Sequence, residues 1–127
     1  MEGTSVKATL LEGYIVENKS RDLEWFADEP ESIGGTDSAP KPSELLLSAL
    51  TSCKLITMRM YAERKGWDVS GLKVDLEIIE RSDKTLLSKK MTFPNNLDQA
   101  QRERLTEISG RCPVAKMVSD SFEYVIL

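Results

Sequence analysis

Two cysteines, Cys53 and Cys112, carry the most accessible nucleophilic and redox chemistry in this chain of 127 residues. No histidine occurs. Its absence removes Ser-His-Asp and Cys-His catalysis, imidazole-ligated zinc and the usual general base near neutral pH. The cysteines stand 59 positions apart without an imidazole beside them, so neither a metal centre nor a cofactor is expected. What remains is the chemistry of thiols, carboxylates, Lys, Arg, Tyr and hydroxyls.

Cys53 lies within Pro42 to Lys65, a run rich in Leu, Ala and Met with no interior Gly or Pro, closed by Gly66. Pro42 suits a first helical turn because its missing N–H would have had no intrahelical partner there, and Gly66 can supply a left-handed cap. The spacing predicts a helix over 42–65, roughly 36 Å long. Leu46, Ala49, Leu50, Cys53, Ile56, Thr57 and Met60 recur by three and four, which predicts that this stripe is the buried face. Basic groups gather toward the far end in Arg59, Arg64 and Lys65, where they complement the helix dipole. An apolar mid-helix setting disfavours the thiolate, and a buried core cysteine is the commonest fate of a free thiol.

Cys112 precedes Pro113, which reads as the first position of a short helix. Its sulfur would lie near unsatisfied amides at the positive helix end, with Arg111 beside it, a setting that favours thiolate. The alternative is a half-buried small residue that ends a loop. Nothing local decides whether the two thiols meet.

A chain of this length makes one domain, 1–127, with a proper core but little room for a deep private cleft, so a site shared between two subunits is a natural remedy. The net charge is −4 and no basic cluster is interleaved with aromatics, which argues against nucleic acid. The apolar stretch from Leu45 to Met60 is interrupted by Ser48, Thr51, Lys54 and Arg59 and falls short of a membrane span. Met1-Glu2-Gly3-Thr4 lacks the basic and apolar regions of an export signal, so a cytoplasmic location is expected, where two cysteines suit a reversible redox role better than a disulfide framework.

The remaining elements must position the thiols. Alternation predicts a strand over 5–12, with two more at Tyr14 to Asn18 and Leu23 to Ala27 around the turn Lys19-Ser20-Arg21-Asp22. Residues 28–41 read as an aperiodic loop, either a surface connection or a site loop. Leu72, Val74, Leu76 and Ile78 share one face of a strand that turns at Ser82-Asp83-Lys84 into a partner carrying Leu87, Lys89, Met91 and Phe93, ended by Pro94. Asp98 and Gln101 form a capping box for a helix over 100–109 anchored by Leu105 and Ile108. A short helix from Pro113 is expected to turn Val114, Met117 and Val118 inward, with a last strand over 122–127.

Several segments together resemble the OsmC/Ohr superfamily: Gly35-Thr36-Asp37, Pro42-Ser43-Glu44-Leu45-Leu46-Leu47-Ser48-Ala49-Leu50 with Ser52-Cys53, Met60-Tyr61-Ala62-Glu63-Arg64-Lys65-Gly66-Trp67, and Arg111-Cys112-Pro113-Val114. The match is most similar to the YhfA-like branch of small OsmC-related proteins. The resemblance implies an α+β fold in which antiparallel sheets wrap two long central helices of an intertwined homodimer, with thiol sites at the interface. It further implies a thiol-dependent peroxidase, active on organic hydroperoxides in oxidative stress defence. Cys53 would form the sulfenic acid, Cys112 would resolve it to a disulfide, and an external dithiol would reduce the product. The rival class is a non-catalytic protein of the same fold that binds a small apolar ligand or senses redox state.

The resemblance also implies an acid directly after the helix-start proline, paired with an arginine from the N-terminal half. Here Ser43 follows Pro42, and the acid is Glu44, about 100° further round the helix. Arg21 is the sole arginine before the helix. Glu44, Ser43 and Arg21 are therefore the candidate supporting residues. With no cation evident beside Cys53, its thiol pKa is expected to be raised and turnover to be weak, with organic peroxide preferred over H2O2 by the apolar lining.

Overall fold

The computed structural model describes residues 3–127; Met1 and Glu2, which open the stretch read above for an export signal, lie outside it. The α+β class follows from its elements: two antiparallel sheets and three α-helices among the described residues. The chain divides into two compact units, one ending at Leu46 and one spanning Leu47–Leu127.

In the first unit, β1 (Lys7–Leu10), β2 (Val16–Ser20) and β3 (Leu23–Ala27) form a meander in that order. The turn between β2 and β3 is tighter than the expected four residues. Ser20 pairs with Leu23, so only Arg21 and Asp22 turn, with Arg21 in the left-handed region at φ 55°. Two-residue hairpin turns match strand twist with such backbone. Lys19 and Ser20 are polar and read as turn, yet the ladder uses only their backbone. β1 and β2 begin two residues later than their expected starts.

The loop after β3 is organised around one buried carboxylate. Asp28 accepts from the Glu29 amide at 2.8 Å, the Thr36 hydroxyl at 2.6 Å, the Ser38 hydroxyl at 2.9 Å and the amides of Thr36 and Ser38 at 3.2 Å each. Its own amide donates to the Pro40 carbonyl at 3.1 Å. A 3-10 turn at Glu31–Ile33 ends on Gly34 at φ 101°. Gly35 must be glycine, because any Cβ there would strike the Glu29 carbonyl. The Thr36 hydroxyl, the Glu29 amide and the Ser38 contacts hold the Asp28 carboxyl well below the usual carboxylate range.

Helix α1 (Pro42–Lys65) has the expected bounds. Glu44 reaches back to the Lys41 amide at 3.0 Å, and Gly66, at φ 73°, lets the Trp67 amide close on the Ala62 carbonyl at 2.9 Å. In the second unit the helix meets a hairpin of β4 (Lys73–Arg81) and β5 (Thr85–Thr92), and helix α2 (Gln99–Ser109). Met58 and Ala62 pack in one core with Val69, Val74, Leu97, Leu105 and Ile108. Removing a fully buried side chain such as Met58 or Leu105 typically costs about 2 to 5 kcal/mol. Asp98 and Gln101 make the expected capping box, worth about 1 kcal/mol.

The buried face of α1 shares only Leu50 with the expected stripe. Leu50, Lys54, Met58 and Ala62 are buried at four-residue steps, whereas Ile56 and Met60 are 55% and 59% exposed. The helix is apolar on more than one side, and the hairpin with α2 covers the side that holds Met58. Helix α3 (Pro113–Ser119) likewise buries none of its residues and leaves Met117 and Val118 exposed, against expectation. The strand expected over 122–127 does not form among the described residues. Phe122, Tyr124, Val125, Ile126 and Leu127 are exposed, and a strand exists only through a pairing partner. Among the described residues no helix is long and apolar enough to cross a membrane.

Asp28 sets a pH dependence. Its folded pKa lies below the unfolded value of 3.8, so its contribution is fully present above that value and is lost as pH falls toward the folded one. Asp28→Asn should flatten the loss of thermal stability between about pH 5 and pH 2. Identical acid limbs in the two proteins would remove Asp28 from the account.

Candidate functional site

The path from α2 into α3 places Cys112 by local rules. Gly110 closes α2 by donating to the Glu107 carbonyl at 3.2 Å, and Arg111 donates to Ile108 at 2.9 Å. Cys112 is then extended, at φ −62° and ψ 123°, as a residue before proline must be, and it caps α3 with Pro113 following. Its sulfur accepts from the Ala115 amide at 3.4 Å and is buried. Cys53, half-buried on α1, faces this corner. Both thiols are free.

A groove of about 370 Å3 opens beside Cys53, lined by Ala49, Ser52, Ile56, Thr57, Met60, Pro113 and Val114. Its walls are almost wholly apolar. Ile56 and Met60, exposed in the single chain, form the open side.

The two sulfurs ionise differently. Burial is the largest influence on Cys53 and pushes its thiol up, but the Cys112 thiol, the Val114 amide and the Thr57 hydroxyl donate to it, and the Lys54 charge attracts the anion. The net direction is down. For Cys112 burial again comes first and pushes up, and donation to Cys53 and repulsion by its charge add to it. The Ala115 amide and Lys54 oppose this without reversing it. Both directions are opposite to the sequence expectation. The helix start around Cys112 is present as expected, but the residue is sealed from water. Cys53 does sit among apolar side chains, but donors converge on it. Of the pair, Cys53 is the more acidic thiol and Cys112 the less acidic.

Of the supporting candidates, Glu44 binds the start of its own helix, nine positions before Cys53, and Ser43 is exposed beside it. Arg21 is an exposed turn residue. All three belong to the unit that ends at Leu46, and the groove is lined wholly by the other unit. Sequence reasoning missed Lys54. The residue is 9% exposed and its ammonium donates to the Ser109 carbonyl at 3.2 Å. The available signal was a lysine placed between Met58 and Leu50 on the helix face that the core takes.

The asymmetry predicts that Cys53 alkylates first. With iodoacetamide over a pH series and each cysteine peptide quantified by mass spectrometry, the Cys53 midpoint should fall below the ordinary thiol value of about 8.5 and that of Cys112 above it. The reverse order would contradict the site as described.

Comparison with known proteins agrees with this architecture. The family model for OsmC-like protein matches residues 35–124. No curated protein matches the sequence. Among solved structures, a protein from Psychrobacter arcticus superposes with TM-score 0.78 at 24% identity over 90% of this chain and 87% of its own. The OsmC like protein of Mycoplasma pneumoniae gives 0.72 at 22% identity, over 93% and 89%. An organic hydroperoxide resistance protein OsmC of Legionella pneumophila gives 0.62 at 17% identity, over 91% and 88%. A family match across most of the chain, on a fold those structures share, makes this protein a member of the OsmC-like family.

Proposed function

We propose that the protein is a thiol-dependent peroxidase that reduces organic hydroperoxides in cytoplasmic oxidative stress defence. The observation that carries this is the pairing of Cys53, whose thiol is lowered and which lines an apolar groove, with Cys112, whose thiol is raised. The Legionella pneumophila structure, a hydroperoxide resistance protein by name, shares the fold and supports the same direction.

In the first step the Cys53 thiolate attacks the distal peroxide oxygen. An S–O bond forms, the O–O bond breaks, and two electrons pass from sulfur to the peroxide. The alcohol leaves after its oxygen takes a proton from Cys112. The Cys112 thiolate then attacks the Cys53 sulfenic acid: the S–S bond forms, the S–O bond breaks, and hydroxide leaves, to be neutralised by the proton that Cys53 released when it ionised. An external dithiol reduces the disulfide by exchange, which closes the cycle with one alcohol and one water per hydroperoxide. Ala49, Ile56, Met60 and Val114 hold an alkyl group at about 0.8 kcal/mol per buried CH2, an advantage H2O2 lacks.

The working form is a homodimer. Ile56, Met60 and the apolar run from Phe122 to Leu127 are exposed in one chain, and a second copy is the partner that covers them and completes the groove.

Dithiol-dependent, saturable consumption of cumene hydroperoxide is expected. Cys53→Ser should abolish it, and Cys112→Ser should leave a single turnover. The active species should sediment at twice the 14.3 kDa chain mass. A folded monomer, or a copurifying apolar ligand without any turnover, would support a binding protein of the same fold instead.

A further inference from the structure

A disulfide between Cys53 and Cys112 can be opened at either sulfur, and the two residues are not equally open. Cys112 is 1% exposed, comes shortly after the buried Ile108 and Ser109, and turns its sulfur to the Ala115 amide at 3.4 Å. A cavity of about 410 Å3 lies beside it, lined by Gly110, Arg111, Ala115, Lys116 and Ser119, residues on either side of Cys112 but not Cys112 itself. The apolar groove of α1 takes in Pro113 and Val114, which follow Cys112, and again not Cys112. Cys53, by contrast, is half-buried and lines that groove, with Ala49 and Thr57 one helical turn away on each side.

Displacement at a disulfide needs the incoming thiolate in line with the breaking S–S bond, so the attacker must reach its target sulfur from outside the pair. Two effects then compete. The acidity of the leaving thiol favours attack on Cys112, because Cys53 is the more acidic of the two and leaves more readily. Access favours attack on Cys53. Acidity changes the rate of a displacement by degrees, whereas a sulfur that an external thiolate cannot touch is not displaced at all. Access therefore decides.

We infer that the external dithiol enters by the apolar groove and attacks Cys53, not Cys112, so that reduction passes through a mixed disulfide on Cys53. The inference rests on the redox pairing proposed above and names the sulfur at which that cycle closes. In the first exchange an S–S bond forms between the dithiol and Cys53, the bond from Cys53 to Cys112 breaks, and Cys112 leaves with the electron pair and takes up the proton that the dithiol lost. In the second, the remaining thiol of the reductant gives its proton to water and closes on its own bound sulfur, the bond to Cys53 breaks, and Cys53 leaves as thiolate. Two electrons have passed from the dithiol to the protein. Hydroperoxide and reductant share one entrance in turn, and Cys112 never meets the outside thiol.

The oxidant in the test is diamide, so the result does not depend on peroxide turnover. The diamide-oxidised protein is mixed with excess 2-mercaptoethanol, quenched in acid, unfolded and alkylated with N-ethylmaleimide, and both cysteine peptides are quantified by mass spectrometry. The mixed disulfide should lie on Cys53, with Cys112 alkylated, in about tenfold excess over the reverse. An adduct mainly on Cys112 would overturn the inference. Should the adduct be too short-lived to count, the rate of reduction by dithiothreitol decides, with circular dichroism to establish folding. Ala49→Phe, at an exposed position that lines the groove, should slow it about tenfold. Ser119→Phe, which crowds the other cavity, should leave it unchanged. An unchanged rate in folded Ala49→Phe, or slowing in Ser119→Phe alone, would overturn the inference equally. A protein that consumes no peroxide but carries the adduct on Cys53 would refute the peroxidase and keep this inference, whereas one in which diamide forms no disulfide between Cys53 and Cys112 would refute both.

Discussion

Two like sulfurs at one corner, Cys112 buried and Cys53 half-buried, do not ionise together. That constraint makes one thiol of the pair more acidic than the other. The chain separates their roles by backbone placement. Cys112 is fixed by the turn from α2 into α3, caps α3 by accepting from the Ala115 amide and is buried, whereas Cys53 sits half-buried on α1, where the Val114 amide and Thr57 hydroxyl favour its anion. Burial pushes both thiols up; the donors on Cys53 outweigh it there, whereas at Cys112 the Ala115 amide does not.

The core of the second unit makes that corner possible. Met58 and Ala62 bind α1 to the β4/β5 hairpin and α2, which fixes where α2 ends and hence where Cys112 arrives. The same packing leaves the Cys53 side of α1 open as an apolar groove. One helix thus has a buried face that holds the core and an uncovered face that carries Cys53.

Much of this was legible in the residues. Pro42 and Gly66 bracket α1 at its observed ends, Asp98 and Gln101 mark α2, and Ser82-Asp83-Lys84 is the hairpin turn, because Pro, Gly and capping side chains act locally. The buried stripe was not legible, since α1 is apolar on several sides and periodicity alone cannot say which side this chain covers. Residues 122–127 have strand composition but no partner strand here, a property of pairing rather than of sequence. The loop over 28–41 has no period, yet it is ordered by Asp28 through contacts eight and ten residues away. The thiol directions failed for a related reason. The donors on Cys53 come from Thr57 and, across the fold, from Val114 and Cys112, while Lys54 looked like an interruption of an apolar run.

The central claim is that Cys53 and Cys112 act as one redox pair within a single chain. Its most direct test is to treat the reduced protein with one equivalent of cumene hydroperoxide, quench with iodoacetamide and digest without reductant. The account predicts a peptide that links Cys53 to Cys112, with loss of two hydrogens on an unlinked, monomer-mass chain in denaturing electrophoresis. Sulfinic acid on Cys53 with Cys112 still free to alkylate would contradict it.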